Sequence, residues 1–302
     1  MEPKPTERSY VFLPWILTFT LFGALTVFTY YRGSHNPFVI EFIKDDLLST
    51  MRIHLLEATE AEKNAVMAIT DEESKNFAVR ARQAADEVES SRKKMETIIL
   101  QENHPQETAL FNKFNICWSQ FRKLDETILA LATQNTNLKA QKISSTQGAQ
   151  EMERFEQSLN RLIYRNTGNN RCNKTVMLSY EALTEGLKIF TLHKPHIEAT
   201  DDQEMDEIEQ SIKSYDLSAR KALASLHGIA NSNDSEDTKN AEVAYEQFMT
   251  LTAEVLKLSR MNTNIKSAEL SFGEKRLISS QCQDILATLQ ETVQAQRSRA
   301  TR

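Results

Sequence analysis

The chain has 302 residues with a net charge of −6 and interleaved Lys/Arg and Asp/Glu, which excludes the clustered basic face of a nucleic-acid binder. Seven glycines, six prolines and abundant Ala, Leu, Glu, Lys and Gln leave strands little support, so the expected fold class is all-α. The length suits about two domains.

Residues 1–9, MEPKPTERS, form a polar tail expected to stay in the cytoplasm. Tyr10 to Tyr31 then runs for about 22 residues without a charge, long enough to span a bilayer. Tyr10 and Trp15 near one end and Tyr30 and Tyr31 at the other suit aromatic belts, and Pro14 falls in the first turns, where a helix tolerates it. A cleaved signal peptide would have a shorter apolar core and a small-x-small site, and a buried core helix is the other alternative. The long core running into Tyr30-Tyr31-Arg32 favours a transmembrane helix over residues 10–31, with the C-terminal part outside the cytoplasm.

A helix is expected from about Phe38 to Ile69, with Ile43, Leu47, Met51, Leu55, Ala58, Ala65 and Ile69 on one stripe. Thr70-Asp71-Glu72-Glu73 reads as a cap followed by an acidic first turn. The next helix carries Phe77, Ala81, Ala84, Val88, Ser91, Met95 and Ile98 at alternating steps of four and three. His104-Pro105 interrupts the pattern, because a residue before proline avoids helical geometry. The third helix holds Phe111, Phe114 and Trp118 and continues through Phe121, Leu124, Ile128, Leu131, Asn135 and Leu138. Ser144 to Ala149 breaks it, and a fourth segment aligns Met152, Phe155, Leu159 and Leu162. Arg165 to Thr175, RNTGNNRCNKT, is the most loop-like run of the chain and marks a boundary.

The second half repeats this plan. Val176 to Ile197 is its first helix, expected to end near Lys194-Pro195, and Thr200-Asp201-Asp202 matches Thr70-Asp71-Glu72. Ile208, Ile212, Tyr215, Ala219, Ala222, Leu226 and Ile229 answer the earlier stripe, Asn231 to Asp237 supplies the turn, and Tyr245 answers Trp118. Phe248, Leu251, Val255, Leu258, Asn262 and Ile265 then match Phe121 to Leu138, and the last helix, after Ser271-Phe272-Gly273, carries Ile278, Cys282, Ile285, Leu289 and Val293. A register held at a shift of about 127 to 131 residues over three helices is a duplication. Spectrin-like three-helix repeats are shorter, and four apolar segments per copy fit a four-helix bundle. The expected domains are therefore residues 36–168 and 169–302, two tandem antiparallel four-helix bundles.

Catalytic signatures are lacking: there is no phosphate-cradling GxxxxGK[ST], no HExxH, no CxxCH, and no histidine with a glutamate three residues before it, as di-iron bundles need. No enzyme, cofactor or metal site is expected. Cys117, Cys172 and Cys282, odd in number and scattered, give no disulfide framework, and Cys117 and Cys282 on apolar faces read as small buried thiols. His193 and His196 in HKPH invite a metal reading, but the intervening proline makes a solvated turn the expectation. The acids from Glu198 to Glu207 suit a helix start. Asn135 and Asn262 sit at the same seam position of each copy. An amide there fixes register and pairing, or alternatively holds a small ligand inside the bundle. Thr136-Asn137 and Thr263-Asn264 are expected to point away from that seam.

Trp118-x-x-Phe121 through LDETILALATQNTN, and Tyr245-x-x-Phe248 through LTAEVLKLSRMNTN, each lead to a small-residue break at SSTQG or LSFG. With the preceding apolar span, this resembles the four-helix-bundle ligand-binding domain of bacterial methyl-accepting chemotaxis receptors, present in two copies over residues 38–302. It is also similar to helical bimodular sensor domains. The resemblance implies a single-pass inner-membrane protein with a periplasmic, non-catalytic sensory module, taking a small-molecule ligand and signalling through a homodimer mate or a separate transducer. The family's ligand-binding arginines find no matching motif here. With no second apolar span before Arg302, the expectation is a module without its own output domain; the alternative is a helical scaffold docking envelope proteins at the membrane.

Overall fold

The computed structural model describes residues 37–167 and 173–300. The expected transmembrane helix over residues 10–31 lies outside the described residues, among which no helix is long and apolar enough to cross a membrane. The described residues are helical and contain no strand. The helices are α1 Pro37–Met67, α2 Asp71–Glu102, α3 Pro105–Ala132, α4 Thr136–Ile143, α5 Ala149–Asn166, α6 Asn173–Glu198, α7 Asp202–Ile229, α8 Ser235–Met261, α9 Thr263–Leu270 and α10 Arg276–Ala300. One π-helical turn, Ser144–Gly148, joins α4 to α5, and another, Ser271–Lys275, joins α9 to α10.

The helix starts follow the sequence. Thr70 Oγ1 accepts a hydrogen bond from Glu73 N at 3.2 Å, and Asp201 Oδ1 accepts from Glu204 N at 2.8 Å. Each satisfies one of the amide groups that a helix N-terminus leaves unpaired. Pro105 opens α3, where its missing N–H costs nothing. Between α7 and α8, Asn231 Oδ1 accepts from Asn233 N at 2.8 Å and from Asp234 N at 3.1 Å, the local bonding that favours asparagine in turns.

Contacts group the described residues into two compact units: 37–59, 81–122 and 277–300 in the first, and 60–80, 123–167 and 173–276 in the second. The core of unit 1 draws Leu48, Met51 and Leu55 from α1, Ala85, Val88 and Met95 from α2, Phe114, Trp118 and Phe121 from α3, and Cys282, Leu286, Leu289 and Val293 from α10. The main core of unit 2 draws Met152, Phe155 and Leu159 from α5, Ala182, Leu183 and Ile189 from α6, Ile212, Ala219 and Ala222 from α7, and Ala244, Tyr245 and Phe248 from α8. Each is a four-helix bundle built from helices one to three of one repeat and helix four of the other. The expected division at 168/169 is thus a division of the sequence repeat, whereas the contacts exchange the fourth helices. In unit 2, a Cβ on Gly186 of α6 would stand 2.9 Å from Phe155 Cε1, so the exchanged α5 is seated on a glycine.

The free-thiol expectation for Cys117 and Cys282 is overturned. They form a disulfide in unit 1 with a Cα–Cα distance of 5.7 Å across a sequence separation of 165. No spacing rule connects them, because the pairing follows from α10 packing on α3. Ile43 of α1, and Ile69 just beyond its end, both expected on the buried stripe, are 42% and 78% exposed. The stripe ends inside the helix, between Leu47 and Ala65.

Candidate functional site

The most unusual local structure lies in unit 2, where α3 and α8 end. Both apolar rhythms run out at an asparagine in the left-handed region, Asn135 at φ 51° and Asn262 at φ 54°. Asparagine is the side chain best able to hold that conformation without glycine. The helices therefore stop and restart, and the two asparagines are not mid-helix seam positions as expected. Lys139 Nζ reaches back to Gln134 O at 2.7 Å, and Lys266 Nζ to Met261 O at 3.1 Å. Each lysine places its charge on carbonyls freed at the preceding helix end.

This break rotates the following residues inward. Thr136 and Thr263 are buried, as is Asn137, correcting the expectation that they face away; helical spacing cannot be carried through a left-handed residue. The two Asn-Thr-Asn segments bond to each other with near two-fold reciprocity. Thr136 N donates to Thr263 Oγ1 and Thr263 N to Thr136 Oγ1, both at 3.2 Å, while the two hydroxyls lie 3.1 Å apart. Asn137 N donates to Asn264 Oδ1 at 3.1 Å, and Asn264 N to Asn137 Oδ1 at 3.2 Å. Asn137 Nδ2 donates to Asn262 Oδ1 at 2.8 Å, and Asn264 Nδ2 to Asn135 Oδ1 at 3.0 Å. Asn137 Nδ2 and Asn262 Nδ2 also reach Ile197 O and Ala199 O at the end of α6. The lock spends both lone amide oxygens of the predicted pair on partners within the chain, leaving Asn135 Nδ2 without one.

One turn on, each π turn meets a buried polar group at an equivalent place. Beside Ser144–Gly148, His193 bonds Ser144 Oγ at 2.9 Å through Nδ1 and Thr252 Oγ1 at 3.0 Å through Nε2. Burial holds this imidazole down at about 4, with the neighbouring His196 adding to the effect. Beside Ser271–Lys275, the corresponding group is Glu62, fully buried, neither of whose oxygens has a hydrogen-bond partner. Lys275 pairs with Asp125 there. Burial raises the Glu62 carboxyl, the Lys275 charge opposes that, and the Asp125 charge adds to it. π-helical turns are rare and are found mostly as single turns inside α-helices, frequently at functional sites, and here each places a serine near a buried ionisable group.

HKPH is not a solvated turn. His193 and His196 are 1% and 0% exposed, and α6 continues through Pro195 to Glu198. The proline falls in the final turn, where the chain still closes Ala199 N onto Pro195 O at 2.9 Å. His196 Nδ1 lies 2.9 Å from Ser259 Oγ and its Nε2 3.0 Å from Glu209 Oε1. This ordering resembles a nucleophile–base–acid chain, yet Ser259 is fully buried and donates to His196 O at 2.6 Å. Its proton is committed and its oxygen meets no substrate.

The two repeats also match at the buried aromatic of their third helices. Trp118 Nε1 donates to Glu89 Oε2 in unit 1, and Tyr245 OH to Asp216 Oδ1 in unit 2, both at 2.9 Å. Arg92 bonds Glu89, and Arg220 bonds Asp216, at 2.8 Å. The aromatic pair was legible as a repeat; an acid of the second helix as its partner could have been found by asking where a buried indole or phenol puts its proton.

The first repeat, with its bundle helices and its half of the lock, is similar to a known family. Residues 43–169 match the family described as the four helix bundle sensory module for signal transduction. Over those residues the resemblance drawn from Trp118-x-x-Phe121 is borne out: the first repeat is similar to the sensory module of chemotaxis receptors. Its match follows the sequence repeat from α1 to α5, so its last helix, α5, packs in unit 2 while its first three supply unit 1. A sensory role in signal transduction accords with this match. No curated protein matches the chain.

Proposed function

We propose that the chain is a non-catalytic, ligand-sensing module of chemoreceptor type, anchored in a bacterial inner membrane by residues 10–31 and folded outside the cytoplasm. The observation that carries this reading is the family match over residues 43–169. The Cys117–Cys282 disulfide supports the extracytoplasmic placement, since such bonds persist in oxidising compartments and are rare in the cytosol of mesophiles.

Signal passes to a partner, and a second copy is the partner best supported. In unit 1, α1 exposes Phe42, Ile53 and Leu56; in unit 2, α6 exposes Met177, Tyr180 and Leu187. Leu187 is the repeat counterpart of Leu56, and the other residues lie on the same seven-residue rhythm. An apolar stripe kept on the same face of both first helices suits lengthwise pairing of helices. We read Asn135 and Asn262 as members of the lock, since their side-chain oxygens are engaged within the chain, while Asn135 Nδ2 is left without a partner.

The test is a thermal-shift screen of the full chain in detergent against amino acids, organic acids and aromatic compounds, with the oligomeric state followed by sedimentation. A specific compound that raises the melting temperature is expected. No stabilising compound, together with recovery of a stoichiometric envelope protein, would replace this reading with a scaffold docking proteins at the membrane.

A further inference from the structure

Unit 1 contains a second polar cluster, far in character from the neutral lock. Lys44 of α1 is fully buried and its Nζ lies 2.7 Å from Glu41 Oε1, 2.7 Å from Glu102 Oε2 and 2.9 Å from Glu107 Oε2. Three carboxyl groups surround one ammonium, so acidic groups outnumber basic ones in the cluster. Desolvation makes such an excess costly unless another cation offsets it. Glu41 is 6% exposed, and its Oε2 has no hydrogen-bond partner. One ligand atom from each of Glu41, His104 and Glu107 lies within 4.8 Å of the other two.

We propose that Glu41, His104 and Glu107 form a divalent transition-metal site that closes α1 onto the turn between α2 and α3. The local chain is shaped for it. Asn103, at φ 50°, ends α2 in the left-handed region and donates to Ile99 O at 2.9 Å. The chain then turns sharply, and Pro105 starts α3 at once, so that His104 and Glu107 stand three apart on one side of the helix start. The order here is His-x-x-Glu across a helix boundary. A search for Glu-x-x-His within a helix passes over it.

One nitrogen and two carboxylate oxygens are the donor set of Zn²⁺ and similar ions, and Mg²⁺, which prefers oxygen and water, is disfavoured by the imidazole. Lys44 acts as the supporting group. It bonds Oε1 of Glu41 and both oxygens of Glu107, leaves Glu41 Oε2 without a partner, and fixes the two carboxylates as outer-shell partners do. A divalent ion would offset the excess of acidic groups around Lys44. His104 is exposed, which gives the ion a route from solvent.

The probe is Zn²⁺ alone, titrated by calorimetry into the full chain in detergent after chelator treatment, with Mg²⁺ as comparator. One Zn²⁺ per chain is expected, with a rise in melting temperature and no comparable Mg²⁺ effect. His104→Gln, at an exposed position, should keep the fold and weaken Zn²⁺ binding by about 10-fold or more, the scale on which even outer-shell changes act. Glu41→Gln should weaken it likewise. The inference is overturned if the wild-type chain takes up no Zn²⁺, if His104→Gln binds it as tightly, or if Mg²⁺ binds equally well.

Discussion

Breaking the Cys117–Cys282 bond should destabilise unit 1 strongly, for a reason rooted in the exchange of fourth helices. The core of unit 1 needs α10 beside α3, and the two cysteines are separated by 165 residues. Closing so long a loop is an entropic cost that a covalent link removes from the unfolded chain. The chain-entropy relation gives about 5 kcal/mol for a loop of this length, which residual structure in the unfolded state reduces to about 3 to 5 kcal/mol in practice. The assay is urea unfolding of the full chain in detergent with and without reductant, and of the Cys117→Ala/Cys282→Ala variant. Trp118 is the reporter, being stacked on Phe114 and Phe121 within unit 1. The reduced and variant forms should unfold at clearly lower urea, and peptide mapping of the oxidised chain should recover the 117–282 link. Equal midpoints, or a mapped chain without that link, would refute both the pairing and the compartment argument built on it.

The remaining expectations concern unit 2. Thr136→Val and Thr263→Val each strand one buried amide of the lock, at a cost of about 1 to 3 kcal/mol. Both singles also lose the same hydroxyl pair, so the double variant should cost less than the sum by about 1 kcal/mol in a double-mutant cycle; strict additivity would mean that the reciprocal bonds do not form. His193 titrates at about 4 in the fold against 6.5 when unfolded. Its contribution is complete above pH 6.5 and is lost as pH falls towards 4, about 3 kcal/mol at 1.36 kcal/mol per pH unit. His193→Phe should remove that part of the acid destabilisation seen in unfolding curves between these values, where Ser144, Thr252 and His196 are the polar groups facing the ring. Glu62 behaves oppositely, because a raised carboxyl favours the fold at low pH and loses that advantage as pH rises through its folded value. Glu62→Gln should therefore raise the urea midpoint at pH 8 and leave it unchanged near pH 4; Lys275, Asp125, Lys63 and Ser271 are the groups around it.

Helices and repeat were readable from the sequence because both rest on local rules: apolar spacing, the Thr70 cap, Pro105 at a helix start. The lock was half readable. Asn135 and Asn262 stood out by position, but treating them as helical placed Thr136 and Asn137 outside, and a single left-handed residue reverses that assignment. His193 and His196 were misplaced for a related reason, since a proline in the last turn of α6 does not end the helix where packing covers it. Cys117 and Cys282 carried no local mark of their pairing. The grouping of helices was the least accessible feature. Met152, Phe155, Leu159 and Leu162 in one repeat, and Ile278, Cys282, Ile285 and Leu289 in the other, are stripes of the same kind. Either could close either bundle, so periodicity alone cannot assign them.

That ambiguity yields a discriminating experiment. If each repeat closed on its own fourth helix, deleting residues 277–302 would unfold the bundle of α6, α7 and α8 and spare the one containing Trp118. With exchanged helices the damage falls on unit 1, because Leu286, Leu289 and Val293 are fully buried in its core together with Cys282. Removing three such side chains forfeits about 1.5 to 3 kcal/mol each, comparable with the whole stability of an ordinary domain. The shortened chain should thus lose the Trp118 signal of a folded core, while hydrogen exchange continues to protect α5 to α8. Preserved Trp118 packing with lost protection in α6 to α8 would restore the tandem arrangement and leave the asparagine lock without an exchange to hold.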